Sequence, residues 1–261
     1  MEMPMTPYDI GRFNGDLMAA LDRVSGIRGY DMRVLNVLDG EPLLLLVPTR
    51  INPDLPNLLV AAGFHGEEPA GPWGLVEFLT TCDPDLLRRA NVSFLPLVNP
   101  TGFRVGNRYN MWGENPNYGC TDTAQAPANP SREIISLKNM LHEVLHLARD
   151  GFLTLHEDHR MDEAFLFIYN DDAEDAGFTA CLRHVLAANF PMLAAAKLDE
   201  FAFTDAVWVP DGSPDCSFEA MLFKLGIPRC ACTETPGQQP LDKRISTNAA
   251  LVAAFIRHHL A

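Results

Sequence analysis

His65 and Glu68 stand three residues apart in Gly-Phe-His-Gly-Glu-Glu-Pro-Ala-Gly, residues 63–71. Imidazole nitrogen and carboxylate oxygen are ligand types that zinc favours, and a catalytic zinc held by two His and one Glu leaves its fourth position for water. Just before the pair, Asn57 to Ala62 (NLLVAA) is an apolar run of strand length, and Pro69 to Thr80 reads as a helix. The pair is therefore expected at the carboxyl end of an interior strand, where open α/β sheets hold their ligands. The same spacing also fits a polar surface turn, so the motif needs partners from elsewhere in the chain.

Three partners are available. His156 closes the strand-like run Gly151 to His156 (GFLTLH) much as His65 follows its own strand, which offers a third ligand. Glu234 closes the run from Pro228, and a carboxylate there suits proton transfer from a water whose pKa a metal has lowered. Arg108 offers a fixed cation for the oxyanion that develops when water attacks a carbonyl.

The elements that must position these groups can be read from periodicity. Tyr30 to Val37 and Pro42 to Val47 flank Asp39-Gly40, a tight-turn dipeptide, and read as a hairpin at the sheet's leading edge. Val92 to Val98 closes a βαβ unit with parallel pairing. From Asn99 to Pro130 the chain is rich in Asn, Gly and Pro without a steady period, which reads as a binding loop. Ser131 caps a helix expected to run to about Arg149. After the GFLTLH strand come a strand at Ala164 to Tyr169, a helix from about Asp172 to Ala187 and a short helix near Phe218 to Leu225. A strand from Pro228 to Glu234 and a helix from about Ser246 to Leu260 complete the chain. The alternation predicts an α/β fold with a mixed, mostly parallel central sheet and helices on both faces. No linker, low-complexity run or repeat divides the 261 residues, so a single domain spanning 1–261 is expected.

A formal charge of −14 repels phosphate backbones, so no nucleic acid partner is expected. The start MEMPMTPYDIGRF lacks a basic region followed by an apolar core, and no stretch reaches the ~18 apolar residues of a membrane helix. The expectations are therefore no membrane partner and a cytoplasmic location. The six cysteines form no C-x-x-C pair and are expected reduced.

The order of these pieces resembles the zinc carboxypeptidase family, in its carboxypeptidase A-like and bacterial murein-peptide amidase-like branches, related to succinylglutamate desuccinylase and aspartoacylase. The matching stretches are GFHGEEPAG, NPTGFRVGNRYNMWGENPN from Asn99 to Asn117, LHEDH from Leu155 to His159 and TETPG from Thr233 to Gly237. They span most of the chain in the family's order. The resemblance implies one zinc (Zn2+) per chain on His65, Glu68 and His156, with Arg108 stabilising the oxyanion. It further implies that Asn117, with Tyr118 beside it, contacts substrate, and that Glu234 is the general acid/base. The implied reaction is hydrolysis of an amide bond in a small peptide or an N-acyl amino acid.

Two departures bear on specificity. The family places Arg directly after the motif's Asn to clamp a terminal carboxylate, but here the run is Asn115-Pro116-Asn117-Tyr118, and Tyr118 lacks that charge. Arg104, Arg160 and Arg229 are candidates to replace it. Before Asp211-Gly212-Ser213, where family members commonly keep a mobile Tyr, this chain has Val207, Trp208 and Val209. A carboxypeptidase-like peptidase and an aspartoacylase-like deacylase therefore both stay open.

A competing motif, His142-Glu143-Val144-Leu145-His146, is an H-E-x-x-H whose histidines share one helix face, as a zincin metalloprotease requires. Its metzincin continuation fails at Arg149 and Phe152, and an amphipathic helix with two partly exposed histidines is the plainer reading. A non-catalytic metal-binding protein is the third alternative; Glu234 argues against it, because a structural zinc normally closes its fourth position with a protein ligand. Cys230 and Cys232 alternate with Glu234 and face the same way on a strand, where buried thiols are expected rather than metal ligands. Glu157, Asp158 and His159 are further polar groups beside His156, open to a second metal or to substrate.

Overall fold

The chain opens with a helix that its periodicity supports although no element was expected there. In the computed structural model, which describes residues 6–121, 130–170, 175–211 and 215–261, α1 (Ile10–Ser25) buries Phe13, Leu17, Ala20, Leu21 and Val24 on one stripe. Asp9 caps it by accepting from the Arg12 amide at 3.0 Å. The hairpin β1 (Tyr30–Leu38) and β2 (Glu41–Pro48) turns at Asp39 and Gly40, with φ of 49° and 82°, the left-handed pair that a two-residue turn requires. Next come β3 (Asn57–Ala62), α2 (Ala70–Thr81), α3 (Pro84–Arg89) and β4 (Asn91–Leu95), then α4 (Pro100–Phe103), α5 (Arg132–Asn139) and α6 (Leu141–Leu147). The remaining elements are β5 (Gly151–Asp158), β6 (Phe165–Asn170), α7 (Ala176–Asn189), β7 (Lys197–Leu198), β8 (Phe201–Ala202), β9 (Val207–Trp208), α8 (Phe218–Lys224), β10 (Arg229–Pro236) and α9 (Leu241–His258).

Eight strands form one sheet in the order β1-β2-β4-β3-β5-β10-β6-β9, and β7 pairs only with β8. The centre, β4-β3-β5-β10, is parallel, while β1 with β2, β2 with β4 and β6 with β10 are antiparallel. Successive side chains on β3 serve opposite cores: Leu58, Val60 and Ala62 pack with α1, α2 and α9, and Leu59 and Ala61 with α5, α6 and α8. The expected single α/β domain with a mostly parallel mixed sheet and helices on both faces is thus observed. Among the described residues no helix is long and apolar enough to cross a membrane.

Local differences have physical reasons. The helix expected from Ser131 to Arg149 breaks at Met140 (φ −113°, ψ 18°), which lets Ile134 and Leu137 on α5 and Val144 and Leu147 on α6 reach the same core separately. The strand expected over Val92 to Val98 ends at Leu95, and the long loop carries the short helix α4. The last helix begins five residues early, at Leu241 directly after Pro240. The expected start of a helix at Asp172 lies outside the described residues, as do Gly212, Ser213 and loop residues 122–129.

Candidate metal and catalytic site

The loop after β3 is shaped by two glycines. Gly63 has φ of 68°, and a Cβ on Gly66 would lie 2.1 Å from the Gly102 carbonyl carbon and 2.2 Å from the Phe103 amide, so only glycine lets the loop lie on α4. Asn99 caps α4 through Gly102 at 2.8 Å and ties it back by donating its own amide to the Gly63 carbonyl at 2.8 Å. This fixes His65 and Glu68 above the sheet. His65 Nδ1 lies 2.7 Å from Glu68 Oε1, and His156 Nδ1, from β5, lies 2.8 Å from Glu68 Oε2. The Glu157 amide also donates to Glu68 Oε2, at 3.2 Å.

All three side chains are buried, and their ligand atoms lie within 4.8 Å of one another. Two imidazole nitrogens and one carboxylate converging in this way fit a zinc ion. The electrostatics agree. Burial opposes charge on Glu68, yet His65 and His156 hold its carboxyl well below the usual range. Burial lowers His65, favouring the neutral ring that ligates a metal. His156 is raised well above its ordinary value against burial, by Glu68 first and Glu219 next. These acids favour a positive charge at His156, and metal binding would displace the proton.

Each imidazole is oriented from its far side. His65 Nε2 lies 3.2 Å from Asn115 Oδ1, and His156 Nε2 lies 3.4 Å from Asn117 Nδ2 and, at ion-pair range, 3.7 Å from Glu219 Oε1. Glu219 is buried on α8; it accepts from the Thr154 hydroxyl and, at 3.2 Å, from Asn117 Nδ2. Burial would raise its carboxyl, but His156 and Thr154 hold it below the ordinary value. Glu219 therefore acts on His156 chiefly through its charge, as a carboxylate behind a ligating His. Neither Asn115 nor Glu219 was identified from sequence. Ser217 followed by Glu219 signals a helix start, and nothing local places that helix beneath His156. Glu157, beside His156, accepts from the Ala70 amide at 2.6 Å and pairs with Arg244, so it caps α2 rather than completing a second metal site.

Glu234 lies opposite His156 in the parallel register of β10 on β5. Burial raises its carboxyl to about 8, with Glu68 and Asp158 acting in the same direction and His156 and Arg108 against it. Cys232 Sγ lies 3.8 Å from Glu234 Oε1, so this thiol faces the site, consistent with the shared strand face. Arg108 Nη1 lies 3.4 Å from Glu68 Oε1 and 3.5 Å from Glu67 Oε1. A two-lobed cleft opens here. His65, Arg108, Phe167, Phe201 and Glu234 line both lobes, of about 390 and 300 Å3. A larger cavity of about 500 Å3 among α1, α2 and α9, beside Trp73, holds none of these groups.

The structure thus brings His65, Glu68, His156, Glu234, Arg108, Asn117 and Tyr118 to one cleft. Of the three arginines considered as a replacement clamp, Arg104 pairs with Asp39 and Glu41, and Arg229 with Asp175; neither lines the cleft. Arg160 does line it, paired with Asp158 at 2.9 Å. Trp208, where a mobile Tyr is common, is buried on β9. His142 and His146 are exposed on α6, and Glu143 pairs with Arg33. The His146 carbonyl accepts from Asn57 at the start of β3, whereas His65 lies past that strand's other end. The H-E-x-x-H therefore lies near the opposite end of β3 from the cleft.

Comparison with known proteins agrees with this geometry. The succinylglutamate desuccinylase/aspartoacylase catalytic domain matches residues 54–220. The chain belongs to this family. The match contains His65, Glu68, Arg108, Asn117 and His156, while Glu234 lies beyond it. A structure from Shewanella amazonensis SB2B, provisionally named a metallopeptidase, is 39% identical, with a TM-score of 0.89 over 96% of this chain and 93% of that one. A Prochlorococcus marinus (strain MIT 9313) protein provisionally named aspartoacylase is 31% identical over 86 residues, 33% of this chain and only 27% of that protein. The metallo-carboxypeptidase of Burkholderia cenocepacia shares the fold, with a TM-score of 0.66 at 18% identity over 92% of this chain and 68% of that one. The family match and the shared fold bear out the resemblance to zinc carboxypeptidase-like proteins.

Proposed function

We propose that this chain is a zinc-dependent hydrolase of an amide bond in a small peptide or peptide-like substrate, acting in the cytoplasm. The observation that carries the reading is the convergence of His65 Nδ1 and His156 Nδ1 on the two oxygens of Glu68, with Glu234 and Arg108 lining the same cleft. His65, Glu68 and His156 would hold the metal. Zinc, when bound, supplies Lewis acidity that lowers the pKa of water and polarises a carbonyl. Glu234 accepts a proton from the attacking water and returns it to the leaving nitrogen as the C–N bond breaks, so acid and free amine are the products. Burial's upward push on its carboxyl favours holding the proton and delivering it to the leaving nitrogen, and the positive charge of a bound metal would offset that push in the accepting half. Arg108 donates to the developing oxyanion; Asn115 and Glu219 orient the imidazoles. Asn117 and Tyr118 contact substrate in the smaller lobe.

A second reading, an N-acyl amino acid deacylase, is supported by the match to the succinylglutamate desuccinylase/aspartoacylase domain. Turnover of a panel of small peptides and N-acyl amino acids by zinc-loaded protein separates the two. The metal assignment is tested by zinc content: His65→Ala and His156→Ala are each expected to lose the ion, and full stoichiometry in both would overturn it.

A further inference from the structure

The two lobes of the cleft differ in chemistry. The lobe of about 300 Å3 is lined by Tyr118, Phe167, Tyr169 and Phe201 and, besides Glu219 and Glu234, by the carboxylates Glu200 and Asp215. Phe167 packs against Phe201 at 5.2 Å and against Trp208 at 5.5 Å, and Tyr169 against Trp208 at 5.6 Å, so the aromatic wall is one packed unit. Asp215 is held in place by the Tyr169 hydroxyl and, at 2.8 Å, the Ser217 amide. A carboxylate has about four acceptor positions, so Asp215 can take a further donor. Among the described residues Arg108 is the sole Lys or Arg lining this lobe, and its guanidinium lies against Glu67 and Glu68. A carboxylate entering here would face Glu200 and Asp215, and the one guanidinium it could reach, Arg108, is already shared between Glu67, Glu68 and the developing oxyanion.

We propose that this lobe receives the cationic tail of the leaving amine, so that the substrate is an N-acyl derivative of a diamine or similar cationic amine that carries no carboxylate. The inference rests on reading the cleft as that of an amide hydrolase. Aromatic faces and two carboxylates together recognise an organic ammonium group, the faces through their negative quadrupole and the acids through charge-assisted hydrogen bonds. The same groups penalise a carboxylate by like charge and leave a neutral tail without polar gain.

Calorimetric binding to the zinc-loaded protein tests this with three product amines of one chain length: 1,5-diaminopentane, 1-aminopentane and 5-aminopentanoate. The diamine is expected to bind at least ~10-fold tighter than the monoamine, the scale of one charge-assisted hydrogen bond. This pair decides the matter, because neither compound has a carboxylate that zinc itself would attract. Glu200→Gln changes an exposed side chain and should cut the diamine's advantage about threefold, the scale of an exposed ion pair. Asp215→Asn should cut it further. Equal or weaker binding of the diamine, or an advantage that survives both substitutions, overturns the proposal. Amide cleavage is scored separately on N-acetylated forms of the three amines. Diamine preference in binding without cleavage of any amide retains the lobe's chemistry and rejects the reaction; cleavage without the preference does the reverse.

Discussion

Glu219→Gln is the substitution that separates a site merely containing two histidines from one built to hold a metal. Glu219 Oε1 lies 3.7 Å from His156 Nε2, on the far side of the ring from Glu68. Two unit charges at that distance interact by roughly 4 to 5 kcal/mol at an effective dielectric of about 20, an upper bound for an imidazole carrying only part of the metal's charge. Gln keeps the oxygen that accepts from Thr154, loses the charge and gives up the bond from Asn117 Nδ2. A third to a half of the bound, roughly 1.5 to 2 kcal/mol, corresponds to ~10- to 30-fold weaker zinc binding, within the range for partners of ligating histidines. Competition with a chromogenic chelator near neutral pH measures the affinity, and thermal unfolding of the metal-free variant controls for folding. A zinc Kd within about twofold of the parent protein, with the fold intact, would refute the claim that Glu219 tunes His156.

Three other outcomes are expected. Glu234→Gln should retain zinc while kcat falls ~10²- to 10⁴-fold, since an amide cannot accept the water proton, and near-parent turnover would require another base. Alanine at both His142 and His146 should leave zinc stoichiometry and kcat/KM unchanged; loss of the ion in that variant alone would restore the H-E-x-x-H reading. His259 gives a pH signature far from the cleft: burial lowers its pKa to about 4 from an ordinary 6.5. The unfolded chain therefore binds the extra proton between those values, so stability is full above pH 6.5 and falls as pH drops towards 4. The loss is at most ~3.4 kcal/mol. Urea unfolding of His259→Gln beside the parent should show a shallower decline over that window, and parallel curves would show that other groups carry it.

The chemistry of the cleft was legible in the sequence wherever a residue's role is tied to the end of an apolar run. Residues 58–62 are apolar because β3 is buried on both faces, and such a strand delivers the residues just past its end, His65 and Glu68, to one edge of the sheet. His156 and Glu234 sit on strands of the same kind, which is why their types and order suffice to suggest a common site. The hairpin at Asp39 and Gly40 was legible for a similarly local reason, since its backbone conformation is confined to two adjacent residues. Helix α1 was equally local in its Asp9 cap and apolar stripe, and both signals stand in the sequence.

Tertiary structure decided what local pattern cannot carry. Asn115 and Glu219 matter through proximity to His65 and His156, which are 50 and 63 residues distant in the chain, and no periodicity encodes such a pairing. Arg104, Arg160 and Arg229 are alike as sequence; ion pairs with Asp39 and Asp175 draw the first and last away and leave Arg160 in the cleft. His142 and His146 share a helix face as their spacing dictates, yet the bond from Asn57 holds that helix at the opposite end of β3 from His65. Helical spacing is set by the backbone hydrogen bonds of one turn, whereas the helix's position depends on which buried side chains it shares with the sheet. The first is written in adjacent residues; the second exists only once the strands have paired.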